Sequence, residues 1–339
     1  MKGRSTIIYN VSVRALRAAV LFCAAAWLLM PAVSCERRPL ADQSYNVYLD
    51  LEIEDEITNY ELESLPEVMK VNFYDPQTEA LMYEDFVGPQ GGDLSVPPGT
   101  YHMVVYNFGT ESTVIGRESQ HSQVVAYTNE ISDFIKGQMQ TFLAKRASLH
   151  ATKNDGVEDE KIVNQPDHLL VSTEQNVEVP VQAEGDRQHV IHTTAETVVE
   201  TYKITVRDIK GGQYIRSVSA LISGMVRSHN IGADVDSDMP ATIYFDMYTD
   251  DTRTVLNGTF NTFGKHPGVE SVLTLDLLVV DTGGGEHIFS YDITDQFKGN
   301  EDHILEVIGD FEVREPAEGG GGLAPDVDDW DDVNTDIII

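Results

Sequence analysis

The chain of 339 residues carries 56 acidic against 23 basic side chains, a formal net charge of −33. That field repels phosphate and excludes nucleic acid as a partner, while 41% hydrophobic residues are enough for a packed core and exclude wholesale disorder. Two cysteines, Cys23 and Cys35, make neither a disulfide framework nor a cysteine-rich zinc site, and the length fits roughly two domains.

The first 34 residues read as an address. Lys2, Arg4, Arg14 and Arg17 form a basic start with no acid before Glu36. Ala18 to Met30 is an apolar run of 13 residues. That is shorter than the about 20 needed to span a bilayer and suits the core of a secretory signal. Ala32-Val33-Ser34-Cys35 follows and resembles a bacterial lipobox, with Ala32 where leucine is usual. Cleavage there would leave Cys35 as a lipidated first residue. The alternative is ordinary cleavage beside an incidental cysteine. Attachment to outer-membrane lipid through Cys35 is expected to come from buried methylenes, because the charge of the chain opposes an anionic surface. The protein would face outward or into the periplasm. Residues 35–45 are polar and suit a tether.

The body reads as mostly β. Tyr45 to Ile53 alternates, with Val47, Leu49, Leu51 and Ile53 on one side, which is a period-2 strand. Val68 to Tyr74, Ala80 to Phe86 and Tyr101 to Asn107 follow as strands, separated by Asp75-Pro76-Gln77-Thr78 and by Gly/Pro-rich turns. Asn129 to Leu149 breaks the pattern. Ile131, Phe134, Ile135, Met139, Phe142 and Leu143 recur at helical spacing behind Asn129 as N-cap, so one short helix covering a sheet edge or sandwich end is expected. Residues 152–167 are polar and read as a loop. After Gly185 come about seven further strands, from Val198 to Asp208 through to His303 to Val313, with a hairpin at Gly283-Gly284-Gly285. Domains are therefore expected at 46–185 and 186–339. Core candidates are Val47, Leu49, Leu51, Val71, Phe73, Val104 and Tyr106 in the first. In the second they are Ile204, Val206, Val218, Leu221, Phe260, Leu275, Leu277, Ile304 and Val307.

The segments FYDPQTEAL and LSVPPGTYHMVVYN resemble the N-terminal half of fimbrial anchor lipoproteins of Bacteroides-type bacteria. ITVRDIKGGQYIRSVSALISGM, LNGTFNTFG, YDITDQ, HILEVIGDFEVREP and the tail GGGGLAPDVDDWDDVNTDIII are similar to an uncharacterised lipoprotein family grouped with those anchors and with fimbrillins. The resemblance implies two tandem transthyretin-like β-sandwiches, an outer-membrane place at or near the base of a fimbrium, and no reaction and no cofactor.

Motifs for catalysis are missing: there is no Gly-x-Ser-x-Gly, no phosphate loop and no His-Glu-x-x-His. His189 and His192 are too far out of phase on a strand to share a metal. Asp234, Asp236 and Asp238 have the first spacings of a calcium loop, but Met239 stands where glycine is needed. Asp326, Asp328, Asp329, Asp331, Asp332 and Asp336 cluster around Trp330 and read as a solvated face or a calcium site. Two functional classes remain: a fimbrium-associated anchoring or adhesive lipoprotein, and a surface glycan- or protein-binding lipoprotein.

Fimbrial subunits are the partners expected, through strand addition. Fimbrillins of the resembled group lose their first strand to a protease that cuts at basic residues. Pro39 to Met69 contains no Lys or Arg, so cutting at Arg37 or Arg38 would only sever the lipid, and Lys70 lies within an expected strand. The first strand should stay. Val333, Thr335, Ile337, Ile338 and Ile339 form a possible donor strand behind the hinge Gly319 to Gly322; the alternative is that they complete their own second sandwich.

Overall fold

The computed structural model describes residues 45–316 apart from 55, 63, 154–156, 184–185 and 268–272. Cys35, the Arg37-Arg38 pair, the acidic cluster around Trp330 and the expected donor strand lie outside the described residues. The chain opens with β1 (Val47–Ile53), a small hairpin of β2 (Glu56–Ile57) and β3 (Tyr60–Glu61), and β4 (Met69–Tyr74). β5 (Leu81–Val87), β6 (Gly91–Leu94), β7 (Gly99–Asn107), β8 (Thr113–Gly116) and β9 (Val125–Thr128) follow. Two helices come next, α1 (Asp133–Gln138) and α2 (Gln140–Lys153). Then come β10 (Lys161–Asn164), β11 (Leu170–Val179), β12 (His189–Thr197) and β13 (Glu200–Arg207). The rest is β14 (Ile215–Val226), β15 (Ser228–Asn230), β16 (Val235–Asp236), β17 (Pro240–Thr249), β18 (Leu256–Thr262), β19 (Thr274–Asp281), β20 (Glu286–Asp292) and β21 (Ile304–Ile308).

The first sheet runs β5-β4-β7-β11-β12-β1-β6 and curls until its edges meet at the Gly88–Gly91 bridge. Alternation decides what it encloses. Val47, Leu49 and Leu51 of β1 face Met69, Val71 and Phe73 of β4 and Met103 and Val105 of β7 across one buried core. Gly91 makes the closure possible. Its φ is +89°, and a Cβ there would fall 1.9 Å from the Leu49 carbonyl oxygen, so only glycine fits.

The second sheet runs β20-β19-β14-β17-β18-β13-β21, with β10 beside the first half of β17. Ile204, Val206, Val218, Phe260, Leu275, Leu277 and Val307 fill its core as expected. Ile304 does not: it is 47% exposed, and Leu305 takes the inward position opposite Ile204. Tyr291 donates to the Gly309 carbonyl at 3.0 Å and closes this sandwich in turn.

Several expectations change. The strand at 189–197, which lies past the expected boundary at 185/186, pairs in parallel with β1 from His189 to Ala195, so it belongs to the first sheet. The segment at 152–167 is not all loop, because β10 lies within it and pairs with Ala241 to Tyr244 of β17. Val104, Tyr106 and Leu221 are buried, but outside the cores named for them. Val104 and Tyr106 join a junction cluster with Leu169, Val199, Val226 and Phe263. Leu221 meets Met139, Phe142 and Leu278 beneath the helices.

The expected single helix is two, broken at Met139. Ser132, not Asn129, caps α1, its hydroxyl accepting from the Ile135 amide at 3.3 Å. Phe134 faces solvent at 73% exposure. The helices cover part of the outer face of the second sheet rather than an edge. A four-stranded sheet, β16-β15-β9-β8, joins the two sandwiches through pairs such as His229 with Ala126.

Candidate functional site

β1 sits in the interior of the first sheet. It pairs in parallel with β12 from Val47–His189 to Ile53–Ala195, and antiparallel with β6 from Val47–Leu94 to Asp50–Gly91. Asn46 fixes its start, donating to the Val96 carbonyl at 2.6 Å and accepting from the Val96 amide at 2.9 Å. Val47 and Leu49 are fully buried and Leu51 nearly so. The seat that a partner's strand would need is filled by the chain's own residues.

Lys70 is the second residue of β4, which is paired on both sides, and is buried. Its ammonium donates to Glu118 Oε1 at 2.8 Å and pairs with Glu84 at 3.1 Å. Glu118 Oε1 also accepts from the Tyr106 hydroxyl. Burial alone would pull the Lys70 pKa down, but bonds and charge from Glu118 and Glu84 outweigh it and the pKa is raised. Burial alone would raise Glu118, but Lys70, with hydrogen bonds from Tyr106 and Asn72, outweighs it and holds the carboxyl below its usual range. A basic-specific protease meets this peptide inside paired sheet, not in an exposed loop.

Each end of the described chain lies at the end of its sheet away from the crossing between the two sheets. The chain enters at Tyr45, where Val47 opposes His189 and Leu94. It crosses to the second sandwich at the other end of these strands, between Thr197 and Glu200. In the second sheet Glu200 marks the near end and Arg207 the far end. Val313 donates to the Lys210 carbonyl at 2.9 Å and Pro316 packs on Gly283, both at the far end.

His168 clips the crossing. Its ring stacks on Tyr60 at 3.6 Å, with Nδ1 3.2 Å from the Thr197 hydroxyl and Nε2 2.8 Å from that of Thr201. Burial pushes its pKa down to about 4 from 6.5. The unfolded chain therefore takes up this proton first. Stability is complete above about pH 6.5 and declines as the pH falls toward 4, by about 2–3 kcal/mol from this group. We expect His168→Gln to flatten that part of the denaturation-midpoint profile between pH 7.5 and 4.5. A profile parallel to the wild type would assign the acid sensitivity elsewhere.

The other candidates resolve individually. His192 pairs with Asp50 at 2.8 Å on the outer face. Asp236 and Asp234 flank the His229 ring at 2.9 and 3.5 Å, so two of the three aspartates with calcium-like spacing pair with a histidine. Among the described residues no group of three or more His, Cys, Asp or Glu is arranged to hold a metal ion, and no helix is long and apolar enough to cross a membrane. Sequence reasoning missed His168, the Lys70–Glu118 pair and a buried Arg146–Asp276 pair. Each depends on a partner far along the chain, and no local pattern announces it.

A crystal structure of a candidate adhesin from Bacteroides ovatus has this fold: TM-score 0.58 at 24% identity, covering 84% of this chain and 98% of that one. The two share the fold, a tandem β-sandwich. The family model described as a domain of unknown function (DUF5119) matches residues 34–246, and the chain belongs to that family. A candidate fimbrium anchoring subunit of Bacteroides ovatus, Fim4B, is 27% identical over 227 residues, which are 66% of this chain. The match spans 60% of that relative's length. The resemblance read from the sequence segments is borne out.

Proposed function

We propose that the chain is a non-catalytic lipoprotein anchored in the outer membrane through Cys35, and that it holds a fimbrium at its base. The observation that carries this reading is the filled seat of β1. A stalk subunit must open that seat to accept its neighbour, whereas the terminal, membrane-side member need not. The absence of Lys and Arg from Pro39 to Met69 and the burial of Lys70 support retention of the strand. The relative described as a fimbrium anchoring subunit supports the same role. In this reading the first sandwich comprises residues 46 to about 197 and the second begins near 200. The membrane lies at the Tyr45 end, and the tail leaves from the far end of the second sheet. Val333 to Ile339 then serves as the strand donated to the next subunit.

Two variants test this together. Cys35→Ser should abolish metabolic labelling by a fatty-acid analogue and release the protein, with attached fimbriae, into the medium. Deleting residues 333–339 should keep the protein on the membrane with an unchanged melting temperature and lose fimbrial attachment. Continued labelling of Cys35→Ser rejects the anchor, and a large fall in melting temperature after the deletion rejects donation.

A further inference from the structure

The helices cover only one half of the outer face of the second sheet. Arg146, His150 and Phe142 lie over β14, β19 and the start of β17. The half made by β13, β18 and the end of β17 is open. β17 and β18 pair only from Met247–Gly258 to Thr249–Leu256. Beyond that they part, because β10 takes over the edge of β17 at Ala241 to Tyr244. The fork leaves a crevice of about 530 Å³, within the range of small-ligand sites. Gln165 closes its end, accepting from the Asn261 amide at 3.1 Å.

Register arranges the lining in rows. Tyr248 opposes Asn257, and Asn257 opposes Thr205. In the next row Thr259 opposes Lys203, and Asp246 lines the same crevice. Tyr248 is 70% exposed, so its ring is offered to solvent. The Thr205 hydroxyl donates to Asn257 Oδ1 at 3.2 Å, and Asp246 is held by the hydroxyls of Tyr244 and Ser219 at 3.0 and 3.2 Å. The lining thus combines one aromatic face with hydroxyl, amide, ammonium and carboxylate groups already oriented by neighbours.

Three features narrow the occupant. The β13 side of β18 is engaged in a ladder throughout, and on its other side the free edge is only Thr259 to Thr262, where Gln165 already takes the Asn261 amide, so little backbone is left for a peptide strand to add to. Ile204 and Gly258 also line the crevice, but Ile204 is buried in the core, so the side chains offered to a ligand are those of Thr, Asn, Gln, Lys, Asp and Tyr. The lining carries one cation, Lys203, and one anion, Asp246, on a chain of net charge −33, so an anionic ligand meets net repulsion. A neutral, polyhydroxylated ligand with an apolar C–H face matches both the ring and the polar groups. We propose that this crevice binds a neutral oligosaccharide, with Tyr248 as the stacking platform and Asn257, Thr205, Thr259 and Lys203 as hydrogen-bonding partners. The site is independent of the anchoring role, which would stand if the crevice bound nothing.

The test uses the full chain on an array of neutral hexose and N-acetylhexosamine oligosaccharides, with sialylated and sulfated glycans alongside. The strongest neutral ligand is then titrated calorimetrically. Tyr248→Ala and Asn257→Ala should each weaken binding at least tenfold without shifting the melting temperature, because both side chains are exposed. Phe86→Ala removes an exposed aromatic of the first sandwich, 49% exposed and paired edge-on with Phe108, and should leave binding unchanged. Absence of binding to every neutral glycan, binding to anionic glycans alone, or full binding by Tyr248→Ala would each overturn the proposal.

Discussion

Replacing Asp276 with Ala is expected to lower stability by about 3–5 kcal/mol and to unseat α2 from the second sheet. Asp276 is 1% exposed on the outer face of β19, directly beneath the helix. Its Oδ2 accepts from Arg146 Nε at 2.7 Å and lies 3.0 Å from His150 Nε2. Arg146 also donates to the Thr242 hydroxyl at 3.1 Å, and that hydroxyl donates to Glu160 at 2.8 Å. Burial pulls the carboxyl pKa upward, but the His150 hydrogen bond and the Arg146 charge outweigh it, and the net direction is down. The group therefore contributes stability above the ordinary carboxylate range and loses it as the pH falls below. Truncating the carboxylate leaves a guanidinium buried without its counter-charge, the costly half of any buried pair. The apolar seat has Met139, Phe142, Leu221 and Leu278 fully or nearly buried, with Ile135, Leu143, Ile162, Tyr244, Val280 and Ile288 only partly so, and the expected loss sets the ion pair against that contact. Urea denaturation gives the energy, and hydrogen exchange across residues 140–153 locates it. The double variant Arg146→Met with Asp276→Leu should recover most of the loss, because a hydrophobic pair removes both charges. A loss below about 1 kcal/mol for Asp276→Ala would mean that the pair is not what seats the helix.

Removing residues 45–53 should leave the first sandwich unable to close. Val47, Leu49 and Leu51 are each worth roughly 1.5–3 kcal/mol of burial, and β12 and β6 lose their partner on either side. The sum approaches the whole stability of an ordinary domain, about 5–15 kcal/mol. The truncated chain should melt in two steps, with the first sandwich far below the second. A synthetic peptide of residues 45–54 added during refolding should restore the upper transition, and the same peptide with Leu49→Asp should not. A truncated chain that melts like the full one would show that β1 is dispensable and that its filled seat does not set the role of the protein.

Sequence and structure agree most where alternation is strong and one-sided. In β1 every second residue is apolar, so the buried side is unambiguous before any partner is known. β21 shows the limit. Its run Ile304-Leu305-Glu306-Val307-Ile308 has apolar residues on both sides, and parity is set only by pairing with Ile204 and Val206 across β13. The sheet to which β12 belongs is hidden in the sequence for a related reason. Its alternation is plain, but its partner β1 lies far back in the chain, and a parallel pairing leaves no turn between them to read. β10 is four residues in a polar stretch, too short to announce itself. The Tyr248 crevice exists because β10 displaces β18 from half of β17, and no local pattern encodes a fork of that kind.

The placement of β1 has a mechanical side. A pull on the chain at Tyr45 acts along the axis of this strand, which is flanked on both sides by ladders whose hydrogen bonds run across it. Such a load cannot peel the pairs apart one at a time. It must shear the parallel ladder to β12 and the antiparallel one to β6 together, and drag Val47, Leu49 and Leu51 through a packed core as it does so. The junction beyond is braced by β9 and β15 of the small sheet, so tension entering at Tyr45 reaches the far sandwich through a welded joint rather than a loose linker.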